Sequence, residues 1–149
     1  MQCTHTCLAD GWLVFSACKS TTIVSWMMLG VYRTQEFLFK MKKSKSPSCV
    51  GCETKSENEN LSHLLLYCTY YQSIREEFIP MYHLNNKNLS SILDNEEKII
   101  LSILDPLSSK LPEVITLNWT SPKHAYEISR QFCYNLHNKR EKLYAKINK

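Results

Sequence analysis

Four soft metal ligands, Cys49, Cys52, His63 and Cys68, fall close together in the order C-x2-C-x10-H-x4-C. Two thiolates separated by two residues can grip one ion from a tight turn, and Gly51 offers that turn backbone freedom. His63 and Cys68 lie about one helical turn apart, so both can face one ion, although the gap is long for a regular helix and the turn must distort a little. The polar linker 53–62 is long enough to close the site. Three thiolates and one imidazole fill a tetrahedral shell, which predicts one structural Zn2+ per chain and no open catalytic position. Such a centre carries about one net negative charge, which Lys45 and Lys55 could offset. The competing reading makes the Cys pair accidental and His63 and Cys68 ordinary helix residues; Cys68 does fall on an apolar stripe, where buried free thiols are common. That reading must explain four soft ligands in the right order within one short segment, and zinc is the better account.

Cysteine usage points the same way. The chain has seven cysteines, an odd number, and no basic region precedes the apolar stretch Gly11 to Cys18 as in a secretory signal. The next apolar stretch, Ile23 to Tyr32, is too short to span a bilayer. A secreted disulfide scaffold and a membrane protein are therefore disfavoured, and an intracellular location is expected. The cluster Cys3, His5 and Cys7 lacks a nearby fourth ligand except Cys18, and reads as a terminus without regular structure.

Only three glycines and five prolines occur in 149 residues, which favours helices over a turn-rich β fold. The expected fold is mainly α, a small helical domain organised around the zinc site. A short helix is expected within 31–43, with Phe37, Leu38 and Met41 on one face. A second runs over 60–79, capped by Asn60, with Leu61, Leu64, Leu65, Cys68, Tyr71 and Phe78 near one stripe and Pro80 ending it. A third runs from Asn95 to Leu104, with Glu96 and Glu97 in its first turn and Asp105–Pro106 closing it. Residues 106–121 read as an irregular connection. The last helix starts at Ser121–Pro122 and carries the stripe Ala125, Ile128, Phe132, Leu136, Leu143 and Ile147. Residues 1–29 differ in style, with two of the three tryptophans and almost no charge. They read as an irregular N-terminal segment: a buried hairpin, a membrane-associating stretch or, preferred, sequence fused to a domain spanning 30–149.

Charge is distributed unevenly. Residues 33–55 carry a net +4, residues 56–121 a net −5 and residues 122–149 a net +5. Lys40, Lys42, Lys43 and Lys45 abut the metal turn and read either as phosphate contacts or as a solvated loop. Of Tyr67, Tyr70 and Tyr71, the last falls on the apolar stripe, and Tyr70 is the better candidate for stacking on an unpaired base. His137, Lys139 and Arg140 have no nucleophile beside them and read as an exposed basic helix face, and Cys133 as a buried thiol.

The segment CVGCETKSENENLSHLLLYCTYY, Cys49 to Tyr71, resembles the zinc-binding domain that follows the polymerase in non-LTR retrotransposon reverse transcriptases. GVYRTQEFLFKMKKSKSPSC before it is similar to the lead-in of that domain, and SIREEF, SILDPLS and ISRQFCYNLHNKRE to its helical tail. The resemblance covers residues 30–149. It implies Cys49, Cys52, His63 and Cys68 as ligands and non-specific contact with RNA or DNA. The polymerase has no counterpart here: Asp10, Asp94 and Asp105 stand apart, without the clustered carboxylates that two-metal phosphoryl transfer needs. The expectation is a non-enzymatic nucleic-acid-binding remnant with no small-molecule substrate. A zinc-stabilised protein-interaction domain and a functionless mobile-element fossil are the alternatives.

Overall fold

The computed structural model describes residues 11–53, 55–78, 96–106 and 122–147, the side chains of 11–18 and 122–125 excepted. Expectations for the Cys3–Cys7 cluster, Pro80, the Asn95 and Ser121 caps and the 107–121 connection lie outside them. The described residues form helices and connecting turns, with a single isolated antiparallel bridge between Ser48 and Asn58.

Within the segment read as irregular, Gly11–Met28 is a helix, α1. Its buried Ile23, Val24 and Met27 share one face and belong to the same core as residues from the rest of the chain. Gly30, at φ 68°, ends it. Its N–H donates to the Met27 carbonyl at 3.1 Å and the Val31 N–H to the Trp26 carbonyl at 3.0 Å, a pair of bonds that satisfies two carbonyls the last turn would leave bare.

Helix α2 is confined to Gln35–Lys40, with the Thr34 hydroxyl accepting from the Phe37 N–H at 3.2 Å. Phe37 and Leu38 are half-buried, but Met41, expected on the same face, lies past the helix end and is exposed. The helix closes in the same way as α1, with Lys42 at φ 57° in the position glycine usually takes. The Lys43 N–H reaches the Leu38 carbonyl at 2.8 Å.

The helix expected over 60–79 is broken. Asn60 caps it as expected, its side-chain oxygen accepting from the His63 N–H at 2.8 Å. A widened π turn follows over His63–Tyr67, then a 3-10 turn over Thr69–Tyr71, then α3 over Gln72–Phe78. The break falls at Cys68, whose N–H reaches back five residues to the His63 carbonyl at 2.7 Å. On a regular helix residues five apart point about 140° away from each other. One inserted residue per turn brings them toward a common side, so the π turn is the distortion that the ligand spacing demands.

Helix α4 spans Glu96–Leu104 and α5 spans Pro122–Ile147. Helix α5 packs against α1, α3 and α4. Its Phe132 meets Phe78 of α3 with ring centroids 5.6 Å apart. The Ser129 hydroxyl donates to the Ile103 carbonyl, satisfying a group at the end of α4. The buried stripe runs through Ser129, Phe132, Cys133, Leu136 and Arg140, whereas Leu143 is only half-buried and Ile147 is exposed. Arg140 therefore lies inside the fold and not on the basic outer face expected of it. No helix among the described residues is long and apolar enough to cross a membrane.

Candidate metal centre

Residues 47–53 and 55–59 form the two sides of a small hairpin. The Cys49 N–H donates to the Glu57 carbonyl at 2.8 Å and the Glu59 N–H to the Pro47 carbonyl at 2.9 Å. Cys49 and Cys52 lie on this hairpin, while the π turn and the break after it carry His63 and Cys68. All four side chains are buried, and their ligand atoms lie within 4.8 Å of one another. The Cys49 and Cys52 sulfurs are each 3.6 Å from the Cys68 sulfur, and Cys52 Sγ is 3.2 Å from His63 Nε2. A disulfide would need about 2.05 Å. A tetrahedral ion with metal–sulfur bonds of about 2.3 Å holds its sulfurs about 3.8 Å apart, so the observed spacing fits a group that could hold a metal ion.

The chemistry of the donors fits as well. Hydrogen bonding from Cys68 holds the Cys49 thiol well below its ordinary range, at about 5. The Cys68 thiol is driven up, first by its hydrogen bond to Cys49 and then by burial. One thiolate thus forms readily and the next is resisted, because two negative charges in contact repel in a buried site. A soft divalent cation removes that repulsion and converts all three thiols to ligands. The four-ligand set leaves no vacant tetrahedral position.

Gly51 serves the turn differently from expectation. Its φ is not in the left-handed region; Lys55, at 47°, takes that conformation instead. What Gly51 supplies is space, since a Cβ there would stand 3.0 Å from Tyr70 Cβ. Gly51→Ala should therefore destabilise the fold by about 1–3 kcal/mol, the range for forced overpacking. Urea unfolding would measure it, and a loss under about 0.5 kcal/mol would show that the contact yields freely.

Tyr70 is consequently half-buried against the metal turn. It meets Tyr71 edge-on at 5.1 Å, and the Lys139 ammonium sits 4.9 Å from its ring centroid. Lys40, Lys42, Lys43 and Lys45 are all exposed on the approach to Cys49. Lys55 is exposed too, so Lys45 and Lys55 face the thiolate charge only through solvent. Tyr71 and Cys133 are fully buried, as expected. Burial pushes the Cys133 thiol up to about 12, which keeps it protonated and inert.

Three charged residues escape a reading by residue type. Arg75 on α3 is buried, with one guanidinium arm donating to the Cys68 carbonyl. Burial lowers its pKa, against an opposing pull from the neighbouring Cys68 and Cys52 sulfurs. Glu59, between the second and third ligands, is fully buried and accepts from Arg140 Nε at 2.9 Å and Nη2 at 2.7 Å. Its carboxylate also accepts from the Gln35 N–H at 3.0 Å and the Tyr144 hydroxyl at 2.9 Å. Burial works against the Arg140 cation, but Glu59 overrides it and leaves the pKa raised. His137 is half-buried, its Nδ1 3.0 Å from the Tyr32 hydroxyl. Charged residues that fall on an apolar stripe were the available signal. Arg75 comes four after Tyr71 and three before Phe78, and Arg140 comes four after Leu136.

On one side of the hairpin lies an open cleft of about 1020 Å³, lined by Glu53, Glu57, Glu96 and Tyr67 beside the Cys52 and His63 edges. The Tyr67 hydroxyl donates to Glu96 across it at 2.6 Å. Its carboxylates would repel a phosphate. No protein-family model, no curated protein and no solved structure matches this chain.

Proposed function

We propose that the Cys49, Cys52, His63 and Cys68 group holds one structural zinc ion, and that the corner it pins presents Lys40, Lys42, Lys43 and Lys45 to the phosphates of RNA or DNA. The observation that carries this reading is the hydrogen-bonded link between the lysine segment and the metal hairpin. Ser44 Oγ donates to Gln35 Oε1 at 2.6 Å, and the Ser46 and Ser48 hydroxyls are 2.9 Å apart. Pro47 is already paired with Glu59. A metal that orders the hairpin therefore orders the lysines as well. Lys42, Lys43 and Lys45 form no salt bridge among the described residues, and Lys40 has only an exposed helix-surface pair with Glu36 at 3.0 Å. Such pairs contribute about 0.2–0.5 kcal/mol, little enough for a phosphate to displace. The resemblance to retrotransposon zinc-binding segments supports the same reading, with the chain as a non-catalytic remnant of a reverse transcriptase.

The test is anisotropy of a labelled RNA stem-loop and a DNA duplex against the zinc-loaded chain at several salt concentrations. Lys42→Gly is the informative variant, because it deletes a charge while relieving a left-handed backbone, so weaker binding cannot be blamed on unfolding. Combined with Lys43→Gln, it should reduce the salt slope by about 0.7–0.9 for each phosphate that is no longer neutralised. Affinity unchanged in the double variant would remove the lysines from the interface. A second reading, a zinc-stabilised protein-interaction module, draws on the apolar side chains exposed around the end of α1: Trp26, Met28, Leu29 and Val31. The absence of salt-sensitive binding to either nucleic acid would favour it.

A further inference from the structure

We infer that Arg75 is the buried counter-charge of the metal centre, tightening its hold on the ion and damping the reactivity of its thiolates. The inference rests on the metal reading above. Arg75 lies one helical segment beyond Cys68 and is only 7% exposed. Its Nη2 donates to the Cys68 carbonyl. Its Nη1 is buried with no hydrogen-bond partner, and no carboxylate forms a salt bridge with it among the described residues. A buried cation without an anion is among the costliest arrangements a fold can contain. The carbonyl it holds belongs to Cys68, whose sulfur is one of the four ligand atoms that lie within 4.8 Å of one another.

A divalent ion with three thiolates and a neutral imidazole carries one negative charge. Arg75, bonded to the Cys68 carbonyl and largely buried, carries one positive charge, so the two excesses offset each other with far less screening than the exposed lysines meet. The exposed Lys45 and Lys55 act through water and contribute little. A cation held at the backbone of a ligand cysteine favours bound thiolates over protonated thiols. It also lowers the energy of the sulfur lone pairs and makes them poorer nucleophiles. Arg75 is thus a positioning and charge-balancing residue that touches the ligand Cys68 only through its backbone carbonyl.

The experiment loads the full chain with Co2+ and compares wild type, Arg75→Gln and Arg75→Lys. Three quantities are read: metal affinity by chelator competition, the energy of the thiolate-to-cobalt charge-transfer band, and the rate of alkylation by iodoacetamide. In that alkylation a cysteine sulfur forms a bond to carbon and iodide leaves. Arg75→Gln should bind metal roughly ten- to a hundred-fold more weakly, the range for groups supporting metal ligands. It should also move the band to lower energy and alkylate faster. Arg75→Lys should stay near wild type in band energy and rate. Equal losses in both variants would overturn the inference, since the carbonyl bond and not the charge would then matter. So would a Gln variant indistinguishable from wild type. If the Gln variant does not fold, the Lys variant decides alone, because loss of band position and protection despite the retained charge refutes the proposal. A wild-type chain that takes up no cobalt refutes the metal reading itself, and this inference with it.

Discussion

Stripping the metal with a strong chelator should abolish the cooperative thermal transition of this chain, and Cys52→Ser should do the same without chelator. The expected size follows from what holds the hairpin. Among the described residues of 47–59 there are a single bridge, two backbone bonds across the hairpin and no buried apolar side chain apart from the cluster cysteines. Those contacts do not offset the conformational entropy of ordering the segment, about 1–2 kcal/mol for each backbone residue, and the buried Glu59 carboxylate anchors only its last residue. Structural zinc supplies about 10–16 kcal/mol in finger-sized peptides, as much as the whole stability of an ordinary domain. Cys133→Ala is the control. It removes a buried thiol that lies outside the cluster, so it should cost a few kcal/mol at most and leave chelator sensitivity intact. Circular dichroism melts, with the metal content of the purified chain measured in parallel, would check all three. Superimposable melts with and without chelator would end the structural-metal reading.

The clustering of Cys49, Cys52, His63 and Cys68 was legible because soft donors at such close spacing seldom serve anything but a metal, and the Asn60 cap because a short polar side chain before an apolar run has a mechanical reason to be there. The distortion after His63 was legible in kind but not in degree. The five-residue step predicts a widened turn, yet whether the chain then resumes the same helix depends on where Tyr70 must go to pack against Gly51. Helix α1 was not legible for a different reason. Trp26 and Met28 are exposed while Ile23, Val24 and Met27 are buried, so apolar residues occupy both sides and the periodic contrast that marks a helix is erased. Arg75, Glu59 and Arg140 were hidden by their residue types, which are rarely buried unless paired. Glu59 and Arg140, moreover, are 81 residues apart, too far for any local pattern to link them.

That distant pair sets the other large expectation. Arg140→Met should destabilise the zinc-loaded chain by about 3–5 kcal/mol, because it strands the Glu59 carboxylate in the interior. Glu59 is 0% exposed and Arg140 4%, so water cannot take over the broken bonds. The Gln35 N–H and the Tyr144 hydroxyl would remain on the carboxylate, but neither supplies a positive charge. Glu59→Gln should be comparably costly, since it leaves Arg140 as the unpaired ion. The double variant Glu59→Leu/Arg140→Met should cost clearly less than the sum of the singles, as replacing a whole buried pair with apolar side chains is often close to neutral. Chemical denaturation of the four proteins completes the cycle, and additive losses would show that the two charges do not interact. The pair also ties the hairpin to the rest of the fold. Glu59 sits on the hairpin between Cys52 and His63, and Arg140 on the helix that packs against α1 and α3. On the proposed reading zinc binds the ordered hairpin far more tightly than the unfolded chain, so excess zinc should recover part of the Arg140→Met loss by mass action. It should recover none of the loss in Cys52→Ser, where the ligand itself is gone. Recovery in Arg140→Met and its absence in Cys52→Ser would establish that the ion and the buried pair stabilise the same hairpin from opposite sides.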